Sequence, residues 1–367
     1  MKIERVDVFP VAVPLAKPLK MAVATVYERT CIVVRVVTDD GIQGLGEAVV
    51  TLYFSGESLA SSAHLIRDVF APLLLGRDPS NLYDLRRLMR KIAIRNNGAR
   101  AAVEMALHDV VAQAAGMPLF QFYGGRSREA VPTIWHVSGG DPASNAEDAA
   151  RAVHEDGYRL VKVKVGGDVD TDIAKVQAVR DAVGDDVMLL PDANQGWDVT
   201  SALRFCHGVA ETKPDFLEQP VIESDILGMA KVNRGPVPIA GDEGVFDAAS
   251  LRTHVELGAV SAVVAKLMKA AGPIGVREVF AVADAAGIGV HFAGMAGQTS
   301  IGAAHAAHLA QAVPNLRYGS GICPYYLEGD VVTEPFKAVR GMLHPPDKPG
   351  LGLDLDEESV KRFLVDL

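Results

Sequence analysis

Along the middle of this chain, short apolar runs end in charged residues, and the charged ends recur at an interval long enough for one helix each time. Val161-Lys162-Val163-Lys164-Val165 carries two lysines. Val187 to Pro191 ends in Asp192, Asp215-Phe216-Leu217 in Glu218, Val237 to Gly241 in Asp242-Glu243, and Val260 to Ala265 in Lys266. The intervals are 30 residues from Lys162 to Asp192, then 26, 24 and 24 to Lys266. Between the runs, segments such as 171–183 and 275–286 place apolar residues three and four apart, the period of a helix. Strand then helix at such a period is the signature of βα units on a parallel sheet. Closed into a barrel, the strand C-termini converge on one face, and the charges meet there. The expected fold class is α/β.

Side chains two apart on a strand share a face, so Lys162 and Lys164 project together from an apolar run. Two neighbouring ammonium groups repel, and desolvation adds to the cost, so at least one lysine pKa is expected to fall toward neutrality, as a base requires. The alternative for these six residues is an edge strand with two solvated lysines. Downstream, Asp192, Glu218 and Asp242 bring three carboxylates into one cavity, where they cannot all stay ionised without a cation. Oxygen ligands point to Mg²⁺ first and Mn²⁺ second. Lys266, from the sixth strand, approaches from the side opposite Lys162 and Lys164 of the second.

These residues resemble the muconate lactonizing enzyme subgroup of the enolase superfamily. The resemblance rests on Lys162-x-Lys164, Asp192-Ala193-Asn194, Glu218-Gln219-Pro220, Asp242-Glu243 and Lys266-Leu267-x-Lys269 in that order. Asp40 to Glu47 resembles the N-terminal hairpin, and Pro349 to Leu353 the C-terminal close. It implies a modified (β/α)7β TIM-type barrel over 127–330, an α+β N-terminal capping domain over 1–126, and a segment 331–367 that returns to the cap. It also implies Asp192, Glu218 and Asp242 as Mg²⁺ ligands, Lys164 as the base on one face with Lys162 beside it, and Lys266 as the acid/base on the other. Asn194 and Glu243 are expected to support them. The implied chemistry is proton abstraction alpha to a carboxylate through an enediolate-like intermediate, and a homo-oligomer is implied as well.

Formal charge is -10, with 36 basic and 46 acidic residues and no basic tract, which argues against nucleic acid or an anionic membrane as partner. A small carboxylate is the expected ligand. Cys31, Cys206 and Cys323 are widely spaced and odd in number, which suits a reducing cytoplasm and no disulfide framework. The N-terminus alternates charge with apolar residues instead of building a signal peptide's apolar core. Strands are expected at the N-terminus, over 30–38 and over 44–49, followed by helices from 58 to 115.

Two stretches are expected as loops over the barrel mouth, where the resemblance places substrate selection. Residues 16–28 offer Lys17, Lys20, Met21 and Tyr27, and 51–57 offer Tyr53, Phe54 and Ser55. Ordinary surface loops are the alternative. His136, near the end of the first barrel strand (131–137), is a candidate substrate contact, although a lone strand histidine is more often structural. Gly287 to Val313 contains no Asp, Glu, Lys or Arg over 27 residues, yet its glycines and polar residues favour a buried strand, loop and helix over a membrane span. Within it, His305 and His308 have zinc-like spacing but no neighbouring ligand, so packing is expected. Gln298 falls where muconate-type enzymes carry a glutamate. Ser320, in an eighth strand around 316–320, stands where cycloisomerases have a glutamate and dipeptide epimerases an Asp-x-Asp.

The expected function is cycloisomerisation of a muconate- or muconolactone-like acid, or racemisation or epimerisation of a small carboxylate. The alternative is a dehydratase-like or o-succinylbenzoate synthase-like syn elimination. N-succinyl amino acid racemisation and dipeptide epimerisation rank below these, and non-catalytic carboxylate binding lower still.

Overall fold

A computed structural model describes residues 1–20 and 25–367, with only the backbone of Lys20. Eight parallel strands form one sheet: Ile134–Val137, Leu160–Lys164, Met188–Asp192, Leu217–Glu218, Ile239–Gly241, Ala262–Ala265, Gly289–Ala293 and Ser320–Gly321, each paired with the next. A parallel bridge between Thr133 and Ser320 brings the last strand back to the first. The Thr133 hydroxyl donates to the Ile322 carbonyl (2.6 Å), and the Ser320 hydroxyl to the Pro132 carbonyl (2.9 Å). This is the expected TIM-type barrel. The first strand is broken, because Val131–Pro132 pairs outside the barrel with Met342–Leu343. The eighth is shorter than 316–320 suggested and begins where that stretch ends.

Barrel helices start where an aspartate can satisfy their free backbone N–H groups. Asp141, Asp168, Asp198, Asp225 and Asp247 each accept a hydrogen bond from the backbone three residues on, at Ser144, Thr171, Ser201, Gly228 and Ser250. Gly287 to Val313 resolves into the strand Gly289–Ala293, a loop and the buried helix Ser300–Ala312. His305 and His308 give hydrogen bonds to the Leu45 and Leu351 carbonyls, and burial lowers their pKa values to about 4 and 3. They are packing histidines, as expected. Among the described residues no helix is long and apolar enough to cross a membrane, and all three cysteines are free and buried.

The N-terminal unit is a three-stranded antiparallel sheet, Ile3–Lys20, Thr25–Thr38 and Gln43–Val49, backed by the helix Asn97–Ala114. A Cβ on Gly46 would lie 2.0 Å from the Ala102 carbonyl, so only glycine lets this helix rest on the strand. The expected loop over 16–28 is corrected in part, since the strands continue to Lys20 and resume at Thr25. Met21 lies outside the described residues, as does the side chain of Lys20. Residues 51–57 hold one short helix, Leu52–Ser55.

Buried acids join this unit to the barrel. Glu47 accepts from the Thr299 and Gly302 N–H groups at the start of the helix Ser300–Ala312 (2.9 and 2.8 Å). Glu104 likewise accepts from Ile274 (2.8 Å), opposite the Ala271-Gly272 turn. Ala271 sits there at φ 59°, in the left-handed region. That conformation costs a non-glycine residue roughly 1–2 kcal/mol. Ala271→Gly is therefore expected to stabilise the protein by about 0.5–1 kcal/mol, after the extra unfolded-state entropy of glycine is subtracted. Denaturant midpoints of the two proteins measure it.

Candidate active site

The barrel register sets the site. Lys164 pairs with Asp192 and Asp192 with Glu218, so three charged residues stand side by side across three adjacent strands. Asp242 follows the fifth strand and Lys266 the sixth. Second and sixth strands of an eight-stranded barrel are opposite one another, so Lys164 and Lys266 face across a cavity with the carboxylates on the arc between them. The cavity, about 670 Å³ including its mouth, is lined by Lys162, Lys164, Asp192, Asn194, Glu218, Asp242, Glu243, Lys266 and His136. Tyr53, Phe54 and Arg29 close it from the cap.

Three of the four carboxylates are drawn to lysines. Lys164 Nζ donates to Asp192 Oδ2 (2.6 Å) and Asn194 Oδ1 (2.7 Å), Lys162 Nζ to Glu218 Oε2 (2.5 Å), and Lys266 Nζ to Asp242 Oδ2 (2.5 Å). Lys269 Nζ takes the other Asp242 oxygen (2.6 Å) and the Val264 carbonyl (2.6 Å). Lys266 also lies 4.6 Å from the centre of the Phe54 ring, a cation–π contact. Asn194 and Gln195 adopt left-handed φ values of 41° and 68°. This turn carries Asn194 back to Lys164, with its amide donating to Glu243 Oε1 (3.2 Å). The turn fits because Gly166, after the lysine strand, has no Cβ, which would stand 2.3 Å from the Ala193 carbonyl. Gln219 positions Asp242 by accepting from its backbone N–H (2.9 Å).

The expected fall in a lysine pKa is corrected for this arrangement. Burial pulls Lys162 down, but Glu218 and Asp192 outweigh it and the pKa is raised. Lys266 is raised in the same way, mainly by Asp242. Lys162 and Lys164 do repel, yet the carboxylates of the neighbouring strands stand closer. Burial and then Asp192 push Glu218 up to about 8, while burial and Asp242 push Glu243 up to about 7. Asp242 moves the other way, because Lys266 and Lys269 overcome its burial. Carboxylates crowded into one buried cavity suit a hard cation, and the donors they offer are all oxygen. Among the described residues the acids are not preassembled as a three-ligand group, since the lysines hold them apart. The donor chemistry fits Mg²⁺, provided the carboxylates turn from the lysines.

Other candidates fall on both sides of the line. His136 reaches the cavity and shares a 2.5 Å hydrogen bond through Nδ1 with the Tyr326 hydroxyl, and burial followed by Lys164 and Lys162 keeps its pKa low. Tyr53 lines the cavity beside Arg29. Gln298 does not line it; its Oε1 accepts from the Met295 backbone (3.1 Å) within its own loop. Ser320 is spent on closing the barrel. Tyr27 is exposed and Lys17 lies on the surface. Arg29 and Tyr326 were missed by the sequence reading.

Residues 3–124 match the family described as "Mandelate racemase / muconate lactonizing enzyme, N-terminal domain", and residues 145–359 match "Enolase C-terminal domain-like". The chain is 36% identical to the L-Ala-D/L-Glu epimerase of Bacillus subtilis over 358 residues, 96% of this chain and 97% of that protein. It is 31% identical to a chloromuconate cycloisomerase of Cupriavidus necator, covering 99% of each. In structure it resembles the muconate lactonizing enzyme from Pseudomonas fluorescens complexed with muconolactone, with TM-score 0.94, 34% identity and 99% of both chains covered. It also resembles a dipeptide epimerase from Enterococcus faecalis complexed with Mg and L-Leu-L-Tyr, with TM-score 0.91, 31% identity, and 96% of this chain and 100% of that one covered. The chain is an isomerase of the enolase superfamily and belongs to its muconate lactonizing enzyme subgroup.

Proposed function

We propose that this isomerase removes a proton from, and returns one to, the carbon alpha to a substrate carboxylate, giving racemisation or epimerisation when both events occur at that carbon and cycloisomerisation when a ring opens or closes. The observation that carries this reading is the opposition of Lys164 and Lys266 across one cavity, with Asp192, Glu218 and Asp242 between them. Those three carboxylates would hold Mg²⁺, which when bound supplies positive charge to the substrate carboxylate as negative charge develops there.

Charge balance supports the assignment. The site contains four acids, Asp192, Glu218, Asp242 and Glu243, and four lysines, Lys162, Lys164, Lys266 and Lys269. With a divalent cation and one substrate carboxylate added, neutrality requires one lysine to be uncharged. An uncharged lysine is the form a base needs. Lys164 takes this role on one face, with Lys162 held charged beside it by Glu218. Lys266 gives or takes the proton on the other, its ammonium held over the Phe54 ring. Asn194 keeps Lys164 aimed at the cavity. From the end of the eighth strand, Gly321-Ile322-Cys323 offers no carboxylate to a free substrate ammonium, which disfavours dipeptides as substrates.

¹H NMR in D₂O with Mg²⁺, on muconates and muconolactones, N-succinyl amino acids, dipeptides and hydroxy acids, tests the reading. Loss of an alpha-proton signal with inversion or ring closure on one of them is expected. Water loss without any isomerised product would instead establish elimination.

A further inference from the structure

We propose that Asn97, a cap residue that does not line the cavity, is a positioning residue: it fixes the loop that carries Lys266 and Lys269 and, together with Glu57, ties that loop to the cap segment bearing Tyr53 and Phe54. The inference rests on the proposed function for what Lys266 and Asp242 do, and on geometry for how they are held. The loop, 266–272, joins the sixth barrel strand to the helix Pro273–Ala286. Neither Asn97 nor Lys269 lines the cavity.

Lys269 is the fixed point of this loop. An ammonium has three N–H groups, and Lys269 Nζ has three acceptors: the Asp242 carbonyl (2.8 Å), Asp242 Oδ1 (2.6 Å) and the Val264 carbonyl (2.6 Å). With no donor to spare and only 1% of the residue exposed, a shift of the Lys269 backbone pulls on Asp242, which also holds Lys266 (2.5 Å). The cap holds that backbone. Asn97 Nδ2 donates to the Lys269 carbonyl. Its amide can face only one way, because Arg100 donates to Asn97 Oδ1 and a guanidinium has nothing to accept with. Arg100 is itself anchored through Nε to the Arg95 carbonyl (3.1 Å).

The next residue along the helix holds the other side of Lys266. Gly98 N–H donates to both oxygens of Glu57 (3.1 Å each), and a Cβ at Gly98 would stand 2.4 Å from Glu57 Oε2, so glycine is what admits the carboxylate. Glu57 is 3% exposed and follows the short helix Leu52–Ser55, whose Phe54 ring lies 4.6 Å from Lys266 Nζ. Two adjacent residues at one helix start therefore set both the ring over the Lys266 ammonium and the loop beneath it. The loop does not need the cap in order to turn, since the Ala270 N–H already reaches the Lys266 carbonyl (3.2 Å) and the Gly272 N–H the Leu267 carbonyl (2.9 Å). What Asn97 adds is its place relative to the cavity.

Lysine acetylation by acetic anhydride, followed residue by residue by mass spectrometry, tests this without substrate or metal. Asn97→Leu keeps the size of the side chain and removes its donor. It should raise the labelling rates of Lys266 and Lys269 by about tenfold, as local opening of a loop that has lost a buried hydrogen bond, while Lys162 and Lys164 on the opposite wall stay within about twofold. A second readout is one that simple loosening of the fold would not single out. Isothermal titration with Mg²⁺ alone should show affinity about tenfold weaker in the variant, because Asp242 moves with Lys269. Unchanged labelling of Lys266 and Lys269 overturns the proposal, as does an equal rise at all four lysines. Selective labelling with unchanged Mg²⁺ affinity overturns it too, since the loop would then move without Asp242. Should Asn97→Leu fail to fold, Asn97→Ala decides by the same two measurements. A wild type that takes up no Mg²⁺ would count against the proposed function and leave the labelling ratio as the test of Asn97.

Discussion

Replacing Lys164 or Lys266 with alanine is expected to lower turnover by about 10³-fold or more, because in the proposed reaction each supplies a positioned proton transfer and such groups contribute roughly 10² to 10⁴. The two variants should differ in what they leave behind. If the lysines serve opposite faces, Lys266→Ala retains Lys164 and should still exchange the alpha proton of one stereoisomer with solvent without converting it. Lys164→Ala should do the same for the other stereoisomer. Incubation of each pure isomer in D₂O, followed by NMR, reads both results at once. Exchange of the same isomer by both variants would place the lysines on one face and exclude a two-base racemisation. Full activity in both would remove the lysines from the chemistry. Folding is not expected to confuse the outcome, because Asp242 loses Lys266 but keeps Lys269, and Asp192 loses Lys164 but keeps Lys162 at 3.7 Å.

The barrel was legible because its signal is repetition. Charged residues at the ends of apolar runs, separated by helix-length intervals, leave few folds that could use them. A second repetition went unread. Asp141, Asp168, Asp198, Asp225 and Asp247 mark the helix starts, four of them with Ser or Thr three residues later. What the sequence hides is which way a side chain points and what the neighbouring strand brings. Lys162 and Lys164 looked mutually repulsive because only their own strand was visible, and the carboxylates that reverse the effect lie 28 to 56 residues away. Ser320 and Gln298 were placed correctly along the chain, but Ser320 turns its hydroxyl to Pro132 and Gln298 folds onto its own loop.

Arg29 shows the same limit from the other side. In Tyr27-Glu28-Arg29-Thr30 it falls between the expected loop over 16–28 and the expected strand over 30–38, and drew no assignment. Parity is the signal that could have found it, since Arg29 shares a face with Cys31 and Val33, both in the core that includes the barrel, whereas Ile32 and Val34 belong to the core behind the cap sheet.

Glu218→Gln should separate what stabilises this protein from what makes it work. The carboxyl is buried and pushed up to about 8, so the folded protein holds its proton more tightly than the unfolded chain does. Such a group contributes stability that is complete below the unfolded value near 4.5 and is lost as pH rises through 8. A neutral glutamine of the same shape, still able to accept from Lys162, does not suffer that loss. Without added metal, the variant should therefore gain on the wild type by roughly 1–3 kcal/mol between pH 5 and pH 9. With Mg²⁺ the order should reverse. Ligand binding raises stability by mass action, by about 2.7 kcal/mol at one hundred times the dissociation constant, and the variant has given up one of the three anionic donors proposed for the cation. Thermal melts with and without Mg²⁺ should show a metal-dependent rise for the wild type and little or none for Glu218→Gln, whose turnover should be lost in parallel. A variant that melts higher with Mg²⁺ to the same extent as the wild type would remove Glu218 from the metal set. A variant that is less stable at every pH would mean that its charge, paired with Lys162, serves the fold. The expected pattern is that of a site whose buried acids cost stability in the absence of the cation that uses them.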